Sequence, residues 1–256
     1  RDYYASRGLG DVYKRQPNDR PVITPDDGNE PEKPDVTETK TGTLAFEDIW
    51  PGGGDYDMND VIVEYNRAVS FDKKNQVTKI VDTFTPVHDG AVFANAFAYQ
   101  VDKGQFGKMT FSATTEGIHT ESATSSIIVC PNVKQAIQKV YTITREFTGG
   151  SFNKKDLKSY NPYIIVKYAE GQKGRTEVHL PKHEATSLAD LSLAGTQKDA
   201  YYIDKEGAYP FAIDIPILNF ISVTEKKSID TEYPNFKAWA DSKGEKYTDW
   251  YNNHVN

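Results

Sequence analysis

The decapeptide Pro51–Asp60, PGGGDYDMND, has the residue types and the spacing of a loop that binds a divalent cation. Asp55, Asp57 and Asn59 stand at alternate positions, which lets one tight loop point successive oxygen atoms toward the same centre. The glycine triplet before them favours the backbone conformations with positive φ that wrapping an ion requires. Because hard cations bind carboxylate and amide oxygens, this pattern predicts a Ca²⁺ site.

The charges around this loop support the same prediction. Residues 41–66 contain six acidic side chains and no lysine or arginine. Carboxylates gathered in this way repel one another unless a cation compensates them. Ca²⁺ takes about six to eight oxygen ligands, so the acidic residues across the glycine turn are expected to contribute as well. The predicted ligands are Asp55, Asp57, Asn59, Asp60, Glu47 and Asp48.

The loop is not an EF-hand, whose pattern is D-x-[DN]-x-[DN]-G-x₅-E. Asp60 stands where that pattern has glycine, and Asn66 stands where it has glutamate. Val61–Tyr65, which follows the loop, alternates as a strand does rather than as a helix does. We therefore expect an oxygen-rich loop that leads into a β-strand. A solvated acidic turn capped by asparagine is the alternative.

Other side chains that could bind a metal or take part in catalysis give weaker signals. His179 and His183, in HLPKH, copy the spacing of zinc ligands on a helix, but Pro181 between them opposes a continuous helix. Cys130 lies in an apolar run and is predicted to be a buried hydrophobic side chain. Asp190 is a candidate for a remote metal partner or for a loop cap. The sequence has no G-x-S-x-G or P-loop motif, and we predict no enzymatic activity.

The elements that must hold the loop are predicted to be β-strands. Val61–Phe71 alternates between apolar and polar residues, and turn residues punctuate the sequence that follows. Because short strands succeed one another without long helices, we predict an all-β fold, either a β-sandwich or a jelly roll. The further strand candidates are Val77–Phe84, Asn95–Gln100, Lys108–Ala113, Ser126–Val129, Val140–Phe147, Tyr163–Tyr168, Glu177–Leu180, Tyr201–Asp204 and Tyr209–Ile217.

A few short peripheral helices complete the predicted fold. Val133–Gln138 is expected to form one or two turns. Tyr233, Phe236 and Trp239 recur at every third residue, which places three rings on one helical face. These rings could form a platform for sugars, but burial against the sheet is the simpler prediction.

The chain is predicted to have three parts. Residues 1–16 resemble translated sequencing-adaptor sequence and are interpreted as a non-native lead. Residues 17–41 are interpreted as a Pro-rich acidic linker, because five prolines and six acidic residues fall within positions 17–36. Residues 42–253 are predicted to form the β-domain.

The segment FEDIWPGGGDYDMNDVIVEY (Phe46–Tyr65) resembles the signature of the LruC-domain family of exported bacterial proteins. The resemblance covers Gly42 to Asn253. It implies an exported protein, often anchored as a lipoprotein, at the cell surface, on the outer membrane or in the periplasm, with no assigned enzymatic activity. The likeness continues through Asn95–Gln100, Asn161–Val166, Glu177–Pro181, Thr186–Thr196, Tyr209–Pro216, Ser228–Ser242 and Asp249–Tyr251.

The expected function is non-catalytic: a Ca²⁺-stabilised module for ligand binding or adhesion. Its partner would be a glycan, a matrix component or another envelope protein. A net charge of −7 argues against a nucleic-acid partner, and no apolar run is long enough to span a membrane. Two alternatives stay open. One is a structural subunit of a surface assembly, and the other is a glycan hydrolase, whose paired carboxylates can lie far apart in sequence.

Overall fold

The computed structural model describes residues 36–148, 152–158, 160–170, 174–194, 202–203 and 209–255. All described residues belong to one compact unit. The predicted lead at residues 1–16 and the predicted linker up to residue 35 lie outside the described residues.

The described residues form two antiparallel sheets with two short helices, which confirms the prediction of an all-β sandwich. The six-stranded sheet has the order β11-β1-β2-β3-β8-β5, and the five-stranded sheet has the order β10-β9-β4-β7-β6. The strands are β1 (Val36–Phe46), β2 (Val61–Phe71), β3 (Val77–His88), β4 (Ala96–Gln100), β5 (Thr110–Ala113), β6 (His119–Glu121), β7 (Ser126–Cys130), β8 (Tyr141–Glu146), β9 (Asn161–Ile165), β10 (Glu177–His179) and β11 (Ala212–Ile215); the helices are α1 (Lys103–Phe106) and α2 (Phe236–Asp241).

The structure differs from the sequence prediction at a few elements. Strand β1 begins at Val36, so residues 36–41, predicted as linker, pair with β2 instead. Their mostly exposed side chains carry no hydrophobic pattern, because backbone pairing and surface polar contacts such as Lys40–Asp214 and Thr37–Ser70 hold them in the sheet. The sequence prediction also lacks β6, which is only three residues long. Of the candidate Tyr201–Asp204, only residues 202–203 are described, and Ile203 makes an isolated bridge to Pro210.

The main core fills the space between the two sheets. Phe84 packs against Phe97 and Tyr99 with ring centroids 5.1 and 5.3 Å apart, which joins β3 to β4 across the sandwich. Cys130 lies in this core, as the sequence predicts. Burying such aromatic side chains is the main source of stability for a sandwich of this kind.

A second core covers the outer face of the six-stranded sheet. Ile62 and Ile213 face outward from the sandwich and pack under the C-terminal segment, residues 216–255, where they contact the core that contains Phe236 and Trp250. Strand β2 is therefore buried on both faces at its start, where the sequence predicts a half-buried strand. The three aromatic residues predicted on one helical face differ in burial: Tyr233 and Phe236 are buried in this second core, whereas Trp239 is only partly buried.

The connection between β1 and β2 carries the acidic residues. Phe46 at the end of β1 lies opposite Val61 at the start of β2, so the ends of the intervening segment are adjacent. The backbone N–H of Glu47 donates to the carbonyl of Phe211 (2.9 Å), which ties the start of this connection to the residue before β11. The two strands thus present residues 47–60 as one loop at the end of the six-stranded sheet.

Candidate metal centre in the β1–β2 loop

Three carboxylates of the β1–β2 loop converge on one point. One oxygen each from Glu47, Asp55 and Asp57 lies within 4.8 Å of the other two. Glu47 and Asp57 are buried, with 1% and 2% of their surface exposed, whereas Asp55 is exposed to solvent. Calcium–oxygen distances are about 2.3–2.6 Å, so one ion can contact oxygens that are this far apart.

The carboxyl group of Glu47 is enclosed by the loop itself. Its Oε1 accepts a hydrogen bond from the backbone N–H of Met58 (2.5 Å). Its Oε2 faces Gly54, where a Cβ atom would lie only 2.7 Å away. Burial, with the nearby carboxylates of Asp60, Asp57 and Asp55 acting in the same direction, raises the pKa of Glu47 to about 9. The folded loop therefore favours a proton, or a cation, at this carboxyl group.

Asp57 fastens the loop to the C-terminal segment. Its Oδ2 accepts a hydrogen bond from the backbone N–H of Lys226 (2.9 Å), and its Oδ1 accepts one from that of Asn59 (3.2 Å). The carbonyl of Tyr56 accepts from the backbone N–H of Ile229 (2.8 Å). Burial raises the pKa of Asp57, because these hydrogen bonds only partly replace the lost hydration.

The glycine triplet has a different role from the one predicted. Positive φ occurs at Tyr56 (57°) and Met58 (56°), not at Gly52, Gly53 or Gly54. The expectation that these glycines supply left-handed backbone is therefore wrong. Gly54 instead leaves room for the Glu47 carboxylate, and the backbone N–H of Gly52 closes a turn on the carbonyl of Ile49 (2.7 Å).

Two other predicted ligands form a separate pair beside this group. The backbone N–H of Asp48 donates to Asp60 Oδ2 (2.8 Å), and Asn95 Nδ2 donates to Asp48 Oδ2 (2.7 Å). Burial, followed by the charge of Asp48, raises the pKa of Asp60 to about 7, and burial also raises the pKa of Asp48. The positive charge of Lys134 acts in the opposite direction and reduces this rise in the pKa of Asp48. These two carboxyl groups thus have polar and cationic neighbours of their own.

Asn59, the remaining predicted ligand, is buried and anchors the loop. Its Nδ2 donates to the carbonyl of Val223 (3.2 Å), and its own carbonyl accepts from the backbone N–H of Gly90 (3.0 Å). Its Oδ1 faces Gly90, where a Cβ would lie 2.4 Å away. Asn59 therefore connects the loop to both the C-terminal segment and the β3–β4 connection.

The group of Glu47, Asp55 and Asp57 differs from the pair of Asp48 and Asp60 in its cationic neighbours. Within the described residues, no lysine or arginine forms an ion pair with Glu47, Asp55 or Asp57. Sequence reasoning missed Asn95 and Lys226, which stabilise the two groups. Both residues are distant in the chain, and no local pattern marks them.

The other candidate residues have structural surroundings. His179 is fully buried, with Nε2 2.8 Å from Glu177 Oε2 and Nδ1 2.7 Å from Asn161 Oδ1. His183 Nδ1 faces the carbonyl of Pro181 (3.3 Å), so the two histidines have different partners. Asp190 Oδ1 accepts from the backbone N–H of Ser192 (3.0 Å), the capping arrangement that the sequence left open. No helix among the described residues is long and apolar enough to cross a membrane.

Comparisons with known proteins give one family and one similar fold. The model of a family described as a domain of unknown function (DUF4842) matches residues 75–251, which begin after the acidic loop. None of the curated proteins matches the chain. The fold is similar to the crystal structure, at 2.08 Å resolution, of a Bacteroides ovatus protein named "Putative lipoprotein". The TM-score is 0.62 at 17% identity over 88% of this chain and 76% of the other, which shows a shared fold.

Proposed function

The chain belongs to the family described as a domain of unknown function (DUF4842), and from this premise we propose that it is an exported, non-catalytic β-domain fastened by Ca²⁺. The observation that supports this proposal is the convergence of Glu47, Asp55 and Asp57 within 4.8 Å. Two of these carboxylates are buried, and no basic residue among those described pairs with any of the three.

The chemistry of these ligands favours Ca²⁺ over other metals. All three side chains offer carboxylate oxygens, whereas zinc sites use mainly cysteine and histidine. Ca²⁺ tolerates irregular geometry and accepts backbone carbonyls and water in addition to carboxylates, whereas Mg²⁺ demands a near-ideal octahedron. A bound Ca²⁺ would supply the positive charge that the buried Glu47 carboxylate lacks in the protein itself.

The proposed role of the ion is structural. Asp57 and the neighbouring carbonyl of Tyr56 already contact Lys226 and Ile229 through backbone hydrogen bonds. An ion held by Asp57 would therefore stabilise the attachment of the C-terminal segment as well as the loop. Since the ion binds the folded chain and not the unfolded one, it would raise the free energy of unfolding by mass action.

We propose a cell-surface or periplasmic location, with attachment to the outer membrane as a lipoprotein. The support is the resemblance of Phe46–Tyr65 to the LruC-domain signature, together with a fold similar to that of a protein named as a lipoprotein. In that location the domain would act as a module for ligand binding or adhesion, with a glycan, a matrix component or an envelope protein as partner.

Calcium titration of metal-stripped protein tests the proposed site. We expect Ca²⁺ to raise the melting temperature of the wild type, with a stabilisation of about 2.7 kcal/mol at a concentration of about 100 times Kd. Asp55→Asn and Asp57→Asn should remove most of this response. Asp156→Asn makes the same charge change at an exposed site outside the loop and should retain it.

Two results would refute a cation site in this loop. One is a wild type whose melting temperature does not change with millimolar Ca²⁺. The other is an equal response of Asp55→Asn, Asp57→Asn and Asp156→Asn, which would indicate a general salt effect. An equal response to Mg²⁺ would keep a cation site but remove the assignment to Ca²⁺.

A further inference from the structure

A cleft of about 310 Å³ lies beside β11, the strand at one edge of the six-stranded sheet. The turn after β10 forms one side of it, and the C-terminal end of α2 forms another. Small-molecule pockets have volumes of about 300–1,000 Å³, so this cleft has room for a compact ligand. It is formed by residues other than the carboxylates of the β1–β2 loop.

The interior of the cleft is mainly apolar. Trp239 is partly buried, with its ring centroid 5.4 Å from that of Phe236 and 5.5 Å from that of Trp250. These contacts hold the indole ring against the second core while part of it borders the cleft. The described apolar lining residues include Leu180, Pro181, Ile203, Pro210, Ala212 and Trp239. This lining favours a ligand with an apolar body.

The rim of the cleft is basic. Lys182 and Lys243 are exposed, and each lies in a tight turn with positive φ, at 69° and 58°. The backbone N–H of Gly244 donates to the carbonyl of Trp239 (3.0 Å), which fixes the second of these turns. Within the described part of the chain, neither lysine forms an ion pair. His183 also lines the cleft.

Among the described residues that line the cleft, Asp214 carries a carboxylate, and other residues compensate its charge. Asp214 Oδ2 lies 2.8 Å from Lys40 Nζ, and its Oδ1 accepts from the hydroxyl of Tyr65 (2.8 Å). The charges of Lys182 and Lys243 are therefore not used by Asp214. The net charge of the chain is −7, so a basic rim is opposite in sign to the molecule as a whole.

We propose that this cleft binds a small organic anion whose apolar body packs against Trp239 and whose acidic group lies between Lys182 and Lys243. A sugar is a poorer match, because its hydroxyl groups need hydrogen-bond partners that an apolar lining does not provide. A neutral apolar ligand would use the lining but not the two lysines. The ligand class therefore follows from the lining and the rim together.

The test uses two fluorescent probes that share an apolar body and differ in charge. 8-Anilinonaphthalene-1-sulfonate carries a sulfonate, and N-phenyl-1-naphthylamine is its uncharged counterpart. Both are titrated into the full chain in its folded state, verified by near-UV circular dichroism. We expect one site for the anionic probe, tighter binding of that probe than of the neutral one, and energy transfer from tryptophan to the bound probe.

Matched variants separate this site from general charge attraction. The double variant Lys182→Gln/Lys243→Gln should weaken binding of the anionic probe about 5-fold to 10-fold and leave the neutral probe within about 2-fold. The control Lys108→Gln/Lys139→Gln makes the same charge change at exposed lysines outside the cleft and should alter neither. Trp239→Leu should weaken both probes, because it removes the ring that contacts the apolar body.

Three outcomes would overturn the proposal. The first is that the folded wild type binds neither probe, or binds both with equal affinity. The second is that the two double variants weaken the anionic probe equally, which would show attraction by net charge alone. The third is that Trp239→Leu, shown to be folded, binds both probes as the wild type does.

Discussion

Replacing Glu47 by glutamine changes the charge of the most deeply buried carboxylate of the β1–β2 loop and little else. Only 1% of Glu47 is exposed, and glutamine keeps both its length and an oxygen that accepts from the backbone N–H of Met58. The variant therefore isolates the effect of the charge from the effect of shape. We expect it to change the metal-free protein and the calcium-loaded protein in opposite directions.

In the metal-free protein, the expected change in the free energy of unfolding follows from the pKa of Glu47. Burial raises this pKa from the ordinary value of 4.5 to about 9, so the folded chain holds the proton more tightly than the unfolded chain does. The stabilisation that this proton provides is fully present below pH 4.5 and is lost as the pH rises through about 9. One pKa unit corresponds to about 1.4 kcal/mol, so Glu47 lowers the free energy of unfolding by about 3 kcal/mol between pH 4.5 and pH 7.

Urea denaturation at a series of pH values, with and without Ca²⁺, measures both effects. In chelator, we expect Glu47→Gln to be about 3 kcal/mol more stable than the wild type at pH 7, with the difference vanishing near pH 4.5. With Ca²⁺ at about 1,000 times Kd, the order should reverse, because the wild type then gains about 4.1 kcal/mol through a carboxylate ligand that glutamine does not replace.

Parallel pH profiles of the wild type and Glu47→Gln in chelator would refute the reasoning about the buried charge. An equal gain of both proteins from Ca²⁺ would refute the assignment of Glu47 as a ligand. The two results are independent, because the first measures the buried charge and the second measures coordination of the ion.

Two further substitutions test the packing around Glu47 and the buried ion pair between Asp82 and Arg145. Gly54→Ala places a Cβ 2.7 Å from Glu47 Oε2. It should lower the free energy of unfolding by about 1–3 kcal/mol in urea denaturation and weaken the response to Ca²⁺. Gly53→Ala is the control, because its Cβ meets nothing within 4 Å, and it should change the free energy of unfolding by less than about 0.5 kcal/mol. Similar values for the two glycine variants would contradict the close approach to Glu47. Asp82→Asn removes the carboxylate that lies 3.0 Å from Nη2 of the fully buried Arg145. It should lower the free energy of unfolding by about 3–5 kcal/mol in urea denaturation, because it leaves that guanidinium uncompensated. A loss below about 1 kcal/mol would contradict a buried ion pair.

The fold was predictable from the sequence wherever burial imposes a pattern. Strands β2, β3 and β8 alternate because one face of each contacts the space between the sheets, and alternation is a local signal. Residues 36–40 of β1 are exposed on both faces of the sheet, so no such signal marks them. The burial of Ile62 depends on a C-terminal segment that is remote in the chain, and this contact could not be predicted from the strand itself.

The candidate site was predictable in composition but not in arrangement. Charge and spacing identify the acidic residues of the loop, since both are local properties of the sequence. The division between the group of Glu47 and the pair of Asp48 and Asp60 depends on Asn95 and Lys226, which come from distant parts of the chain. The role of Gly54 likewise follows from a side chain that folds back over the loop, not from the φ that glycine permits.

The hydrogen bond from Lys226 to Asp57 joins residues 169 positions apart, so the first hairpin of the sandwich meets nearly the last part of the chain. Contacts of such long sequence separation form late, because a large loop of chain must close before they contribute. During synthesis, which proceeds from the N-terminus, the acidic loop is made long before its C-terminal partner. Assembly of the loop against Lys226 and Ile229 would therefore mark the completion of folding, and a chain truncated before these residues would retain an unfinished hairpin.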